Sequence, residues 1–124
     1  MHDTDAAGIL FFGHQFKIIH DAYEQFLESV DFSFAKLLRE TNFFIPIIHA
    51  EADYKSPLFV GDQLTIKGRL EKVGESSFII DYEIIDTHNV IVGTARTVHV
   101  ATNKKTRKKI PLPPNFKKNL IKAK

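Results

Sequence analysis

From His14 to Val30 the apolar residues Phe16, Ile19, Tyr23, Phe26, Leu27 and Val30 recur at helical intervals, and beyond residue 41 the spacing changes to every second residue. That single change of period limits the folds open to the chain. Lys17, Asp21, Glu24, Gln25 and Glu28 fill the other side of the helix, while Ile18 and Ala22 widen its buried stripe. A stripe this broad suits burial against a sheet. Asp31 and Ser33 are candidate caps for a shorter helix through Phe34, Leu37 and Leu38.

After Thr41-Asn42, the stretch Phe43 to Tyr54 reads as a strand interrupted by Pro46, which implies an edge or a bulge. Lys55-Ser56-Pro57 breaks it, and Val60-Gly61-Asp62 makes a turn. Leu64, Ile66, Gly68 and Leu70 then alternate with Thr65, Lys67, Arg69 and Glu71, so one face of that strand is wet. Val73-Gly74-Glu75-Ser76 turns into Phe78 to Ile85, and Asp86-Thr87-His88-Asn89 turns into Val90 to Ala101. Consecutive strands with tight turns imply an antiparallel meander. The long helix, about 17 residues and roughly 25 Å, matches the strands in length. The expected class is α+β, a curved antiparallel sheet folded around one helix.

With 124 residues there is room for one domain, residues 1–124, of which 103–124 read as a basic C-terminal tail. The absence of cysteine removes disulfides and thiol chemistry and suits a reducing cytoplasm. No apolar run approaches the roughly 18 residues of a membrane span, and no signal-peptide pattern is present. A net charge of +2 argues against a nucleic-acid binder. The run Lys104-Lys105-Thr106-Arg107-Lys108-Lys109 is short and lacks interleaved aromatics; it reads as a solvated segment or as cations for a phosphate-bearing ligand.

The chemistry concentrates ahead of the helix, in His2-Asp3-Thr4-Asp5-Ala6-Ala7-Gly8-Ile9-Leu10-Phe11-Phe12-Gly13. An Asp-Thr-Asp stretch alone is most often a turn that caps backbone N–H groups. Here small residues follow Asp5, then an apolar run able to desolvate its carboxylate, then the start of a helix whose free N–H groups favour negative charge. A carboxylate and an anion-stabilising helix start so close together suit acyl transfer.

Asp5-Ala6-Ala7-Gly8-Ile9-Leu10-Phe11-Phe12 resembles the signature of the 4-hydroxybenzoyl-CoA thioesterase group of hotdog-fold proteins. Within it the chain is most similar to the 1,4-dihydroxy-2-naphthoyl-CoA hydrolases of phylloquinone and menaquinone synthesis. That likeness rests on His20-Asp21-Ala22-Tyr23-Glu24, Ile45-Pro46-Ile47-Ile48-His49-Ala50, Pro57 with Gly61-Asp62, and Lys109-Ile110-Pro111-Leu112-Pro113. The resemblance implies a hotdog fold and hydrolysis of an aromatic acyl-CoA. Asp5 would be nucleophile or general base, and the Phe12 N–H, with the Gly13 helix start, would be the oxyanion donor. Phe11, Ile47 and His49 would line the acyl slot, and Ser77 is a possible supporting residue beside Phe78. Position 12 holds Tyr or His in some relatives; Phe here removes any side-chain hydrogen bond but leaves the backbone donor. Asp3 would shape the turn.

The resemblance also implies a homo-oligomer, dimer or tetramer, with sites between subunits, and no cofactor beyond the CoA of the substrate. The family's first strand precedes the motif, so with Met1 directly ahead of it that strand is expected to be short or missing. A broader acyl-CoA thioesterase, or a noncatalytic acyl-CoA or acyl-carrier-protein binding module, stays open as an alternative. His14 and His20 lack the spacing of a zinc helix, so no metal is expected. His49 and Glu51 share a strand face, which leaves a hydrogen-bonded imidazole and a contact to substrate hydroxyls both open. Glu24 reads as a solvated helix residue, and Arg96 and His99 fall on opposite faces of the last strand without evident partners.

Overall fold

The computed structural model describes residues 19–55 and 63–124. Helix α1 runs through residues 19–29, with Ile19, Tyr23, Leu27 and the following Val30 buried and His20, Asp21, Gln25 and Glu28 exposed. It ends because Asp31 turns left-handed at φ 67°, while Phe32 N–H donates to Leu27 O at 2.9 Å and Asp31 N–H to Glu28 O at 3.0 Å. Those two bonds satisfy carbonyls that the helix would otherwise leave bare. Of the two candidate caps for the next helix, α2 (Phe34–Glu40), the structure uses Ser33, whose Oγ accepts from Lys36 N at 3.2 Å. Asp31 closes the helix before it.

Strands β1 (Phe43–Phe44), β2 (Ile47–Tyr54), β3 (Thr65–Val73), β4 (Ser77–Ile85), β5 (Ile91–Val100) and β6 (Thr102–Asn103) are all antiparallel. Four of them form one sheet in the order β2-β5-β4-β3, and β1 pairs with β6 separately. Pro46, which has no N–H to give a ladder, falls between β1 and β2, and its carbonyl accepts from Val100 N at 3.3 Å. Asp86 fixes the β4–β5 turn, its Oδ1 accepting from His88 N at 2.8 Å and Val90 N at 3.0 Å. The expected helix-and-meander architecture is therefore present, and the fold is the α+β hotdog arrangement.

One sheet face is apolar. Phe78, Ile80 and Tyr82 of β4, Ala95 of β5 and Leu70 of β3 pack with Ile19, Tyr23, Leu27 and Val30 of the helix. The segment read as a basic tail divides in two. Lys104 is half-buried and residues 105–109 form an exposed turn and return, whereas Pro114–Ala123 is a third helix, α3, with Phe116 and Leu120 fully buried. Phe116 meets the Phe32 ring edge-on at 4.9 Å and Phe43 at 6.0 Å, and Asn119 Nδ2 donates to Val30 O at 2.7 Å. Helix α3 thus plugs the C-terminal end of α1. No helix among the described residues is long and apolar enough to cross a membrane.

Emptying the Phe116 site removes a large ring from a closed aromatic cluster. Phe116→Ala is expected to cost about 3–5 kcal/mol, read from urea unfolding; a loss below about 1 kcal/mol would mean that α3 does not belong to the core.

Candidate functional site

Asp3, Asp5, Phe11, Phe12 and Gly13 lie outside the described residues, as do Pro57, Gly61 and Asp62. Of the residues singled out from the sequence, Ile47, His49, Ser77 and Glu24 are described. The first two open β2, an edge strand of the four-stranded sheet among the described residues.

The register is not uniform there. Ile47 pairs with His99 and His49 with Val98, so a bulge lies between them. Because neighbouring residues of β5 point to opposite faces, Ile47 joins the helix-facing row of His99 and Phe78, whereas His49 joins the outer row of Val98 and Ile79. Ile47 and Ile48 are 38% and 60% exposed, an apolar step on a strand that is an edge among the described residues. His49 Nε2 sits 3.7 Å from Glu51 Oε2, both side chains being 56% exposed. The two do share a face, but the imidazole is open rather than buried. Ser77 opens β4 opposite Val100, half-buried, and its carbonyl accepts from Gly74 N at 2.7 Å. The structure therefore does not gather Ile47, His49 and Ser77 onto one surface. Glu24 is half-buried on α1.

Beneath the Ile47 step lies a polar group that the sequence reading left without partners. His99 is fully buried, its ring stacked on Tyr23 at 4.1 Å and on Phe78 at 4.8 Å. Its Nε2 shares a 2.6 Å hydrogen bond with Thr97 Oγ1, which in turn lies 3.0 Å from Tyr82 OH. Tyr23 OH donates to Ile45 O at 3.2 Å, so the ring below the imidazole is itself tethered to the β1–β2 junction. Among the described residues His99 Nδ1 has no hydrogen-bond partner. Arg96 is likewise partnered: its guanidinium grips Asp81 on the next strand at 2.6 and 3.1 Å. Both corrections come from register. Alternation shows which face Thr97 and His99 occupy, but not which residue of a neighbouring strand stands opposite.

Burial sets the protonation of this group. It pushes the His99 imidazole from 6.5 down to about 3, pushes the Tyr82 phenol up to about 12, and raises Tyr23 as well. On the outer face, the hydrogen bond from Arg96 holds the Asp81 carboxyl below the usual carboxylate range. Glu51, Asp53, Lys67, Arg69, Asp81 and Arg96 line a groove of about 470 Å³ there. Compensating charges line that groove, a poor setting for an aromatic acyl group. No group of three or more His, Cys, Asp or Glu among the described residues is placed to hold a metal ion.

The imidazole yields a stability prediction with a definite sign. His99 binds its proton less readily folded than unfolded, so its contribution is complete above pH 6.5 and is lost as pH falls toward 3. From pH 6.5 to 5 the wild type should lose about 2 kcal/mol more than His99→Gln, measured by urea unfolding across that range. Parallel pH profiles for the two proteins would show that the imidazole is not held neutral by the fold.

Residues 1–120 match the model of the thioesterase-like superfamily. A 1,4-dihydroxy-2-naphthoyl-CoA hydrolase of Synechococcus elongatus is 35% identical over 90% of this chain and 82% of its own length. One of Nostoc punctiforme, with the same name, is 38% identical over 90% of this chain and 74% of its own. Among solved structures, a 1,4-dihydroxy-2-naphthoyl-CoA thioesterase from Synechocystis superposes with a TM-score of 0.78 at 29% identity, covering 89% of this chain and 81% of that one. The helix packed on a β2-β5-β4-β3 sheet and the likeness over nearly the whole length lead to one conclusion: the chain belongs to the thioesterase-like superfamily.

Proposed function

We propose that this chain hydrolyses an aromatic acyl-CoA thioester, with 1,4-dihydroxy-2-naphthoyl-CoA as its preferred substrate, to the free acid and CoA. The observation that carries the reading is identity of 35–38% over 90% of the chain with hydrolases bearing that name. The sequence Asp5-Ala6-Ala7-Gly8-Ile9-Leu10-Phe11-Phe12-Gly13 supplies the groups such a reaction needs.

In this mechanism the Phe12 amide, helped by the helix start at Gly13, receives the oxygen of the thioester carbonyl as it gains charge. Asp5 either attacks the carbonyl carbon or takes a proton from the water that does. The tetrahedral intermediate collapses with cleavage of the C–S bond, and the CoA thiolate leaves and is protonated. On the direct-attack route, water then hydrolyses the acyl-aspartyl anhydride. Water is the only co-reactant on either route. Phe11 and Ile47 would form the apolar slot, His49 would meet a ring hydroxyl, and Ser77 would support the strand behind it.

The reading includes a homo-oligomer with the site at the subunit interface. Its support is the β2 edge, where exposed Ile47 and Ile48 stand beside backbone groups that a second copy could pair. A chain without cysteine suits the cytoplasm, where this reading places the enzyme.

Asp5→Asn should lower kcat by about 10³-fold, followed by release of free thiol, while affinity for the substrate persists. A wild-type protein that binds the thioester without releasing thiol would refute hydrolysis. Comparing kcat/KM for 1,4-dihydroxy-2-naphthoyl-CoA, 4-hydroxybenzoyl-CoA and acetyl-CoA tests the acyl group. Equal values for all three would overturn the substrate assignment but leave the chemistry standing.

A further inference from the structure

We propose that the cleft between α2 and α3 is a docking site for an acidic helical segment of a partner protein. The cleft encloses about 1080 Å³, with Lys36 and Arg39 on its α2 side, Lys118 and Lys122 on its α3 side, and Phe32 and Phe43 at its base. Asp31 and Glu40 also border it, and Asp31 is engaged by Lys36 at 3.3 Å. Arg39, Lys118 and Lys122 form no ion pair among the described residues. The C-terminal segment that carries α3 has one sign of charge: residues 103–124 hold nine of the chain's 17 lysines and arginines and none of its 15 acids.

Three observations decide what could occupy the cleft. Lys118 and Lys122 are one helical turn apart, and Arg39 faces them from another helix, so the positive charge is strung along two walls. An extended row of carboxylates matches that spacing better than one phosphate does, since a single phosphate needs donors converging on a point. The site is an open groove between two helices, which suits a rod such as a helix. Leu38 and Ile121, 77% and 56% exposed on the same two helices, add exposed apolar surface outside the lining of the cleft.

None of the described residues assigned to the proposed reaction, Ile47, His49 and Ser77, borders the cleft, so its occupation is expected to leave that reaction unchanged.

The test uses the full chain and three probes: a fluorescein-labelled helical peptide of glutamate, leucine and alanine, phosphatidylglycerol vesicles, and free coenzyme A. Lys118→Glu with Lys122→Glu is compared with an equal charge change on the sheet, Lys67→Glu with Lys72→Glu, and Arg39→Glu repeats the test from the opposite wall. The peptide should bind the wild type, weaken about tenfold or more in the α3 and α2 variants, and change less than about twofold in the sheet variant. The KM for acyl-CoA should not move. Equal weakening in the sheet variant, or no peptide binding, overturns the proposal. So does a vesicle or coenzyme A affinity that exceeds the peptide's and is lost in the α3 variant, which would assign the cleft to lipid or to the leaving group.

Discussion

Tyr23 lying flat against His99 is the contact through which the helix is set on the sheet. Phe78 stacks on the other face of the imidazole, so three rings from α1, β5 and β4 form one column. Each aromatic contact of this kind adds about 0.5–1.5 kcal/mol to the area it buries. More important is its directionality. Greasy side chains alone would let a helix slide along a sheet, whereas a ring column with Tyr23 OH anchored on Ile45 O accepts one position. The column thereby fixes where the described part of α1 lies on the sheet.

The two faces of the sheet divide the work. Inside, Thr97 lies between Tyr82 and His99, and the dry surroundings keep all three uncharged. Outside, Glu51, Arg96, Asp81 and Arg69 sit across successive strands with alternating sign. Neither face is a ready aromatic slot. In the proposed enzyme the acyl group would find apolar surroundings at the β2 edge, where Ile47 and Ile48 emerge.

Much of this was legible because it depends on period. The α1 stripe, the alternation through β3, and the Asp86 turn between β4 and β5 all follow from local spacing and were expected from the sequence. The motif around Asp5 was read as chemistry through its resemblance to a known signature, and it lies outside the described residues. What escaped depends on partners distant in sequence. The bulge that sends Ile47 and His49 to different faces, the grip of Arg96 on Asp81, and the burial of His99 all require the register. Helix α3 was obscured for a different reason: its lysines dominate the segment, yet Phe116 and Leu120 stand four residues apart, which is the helical signal.

Helix α2 has only seven residues, too few to persist alone in water. Its last carbonyls are held by Lys104, whose Nζ donates to Leu37 O, Leu38 O and Thr41 O, and Lys104 comes from the turn after β6. An element encoded early is thus completed by a side chain more than 60 residues further along, and its amides should exchange with solvent more readily than those of β4 and β5.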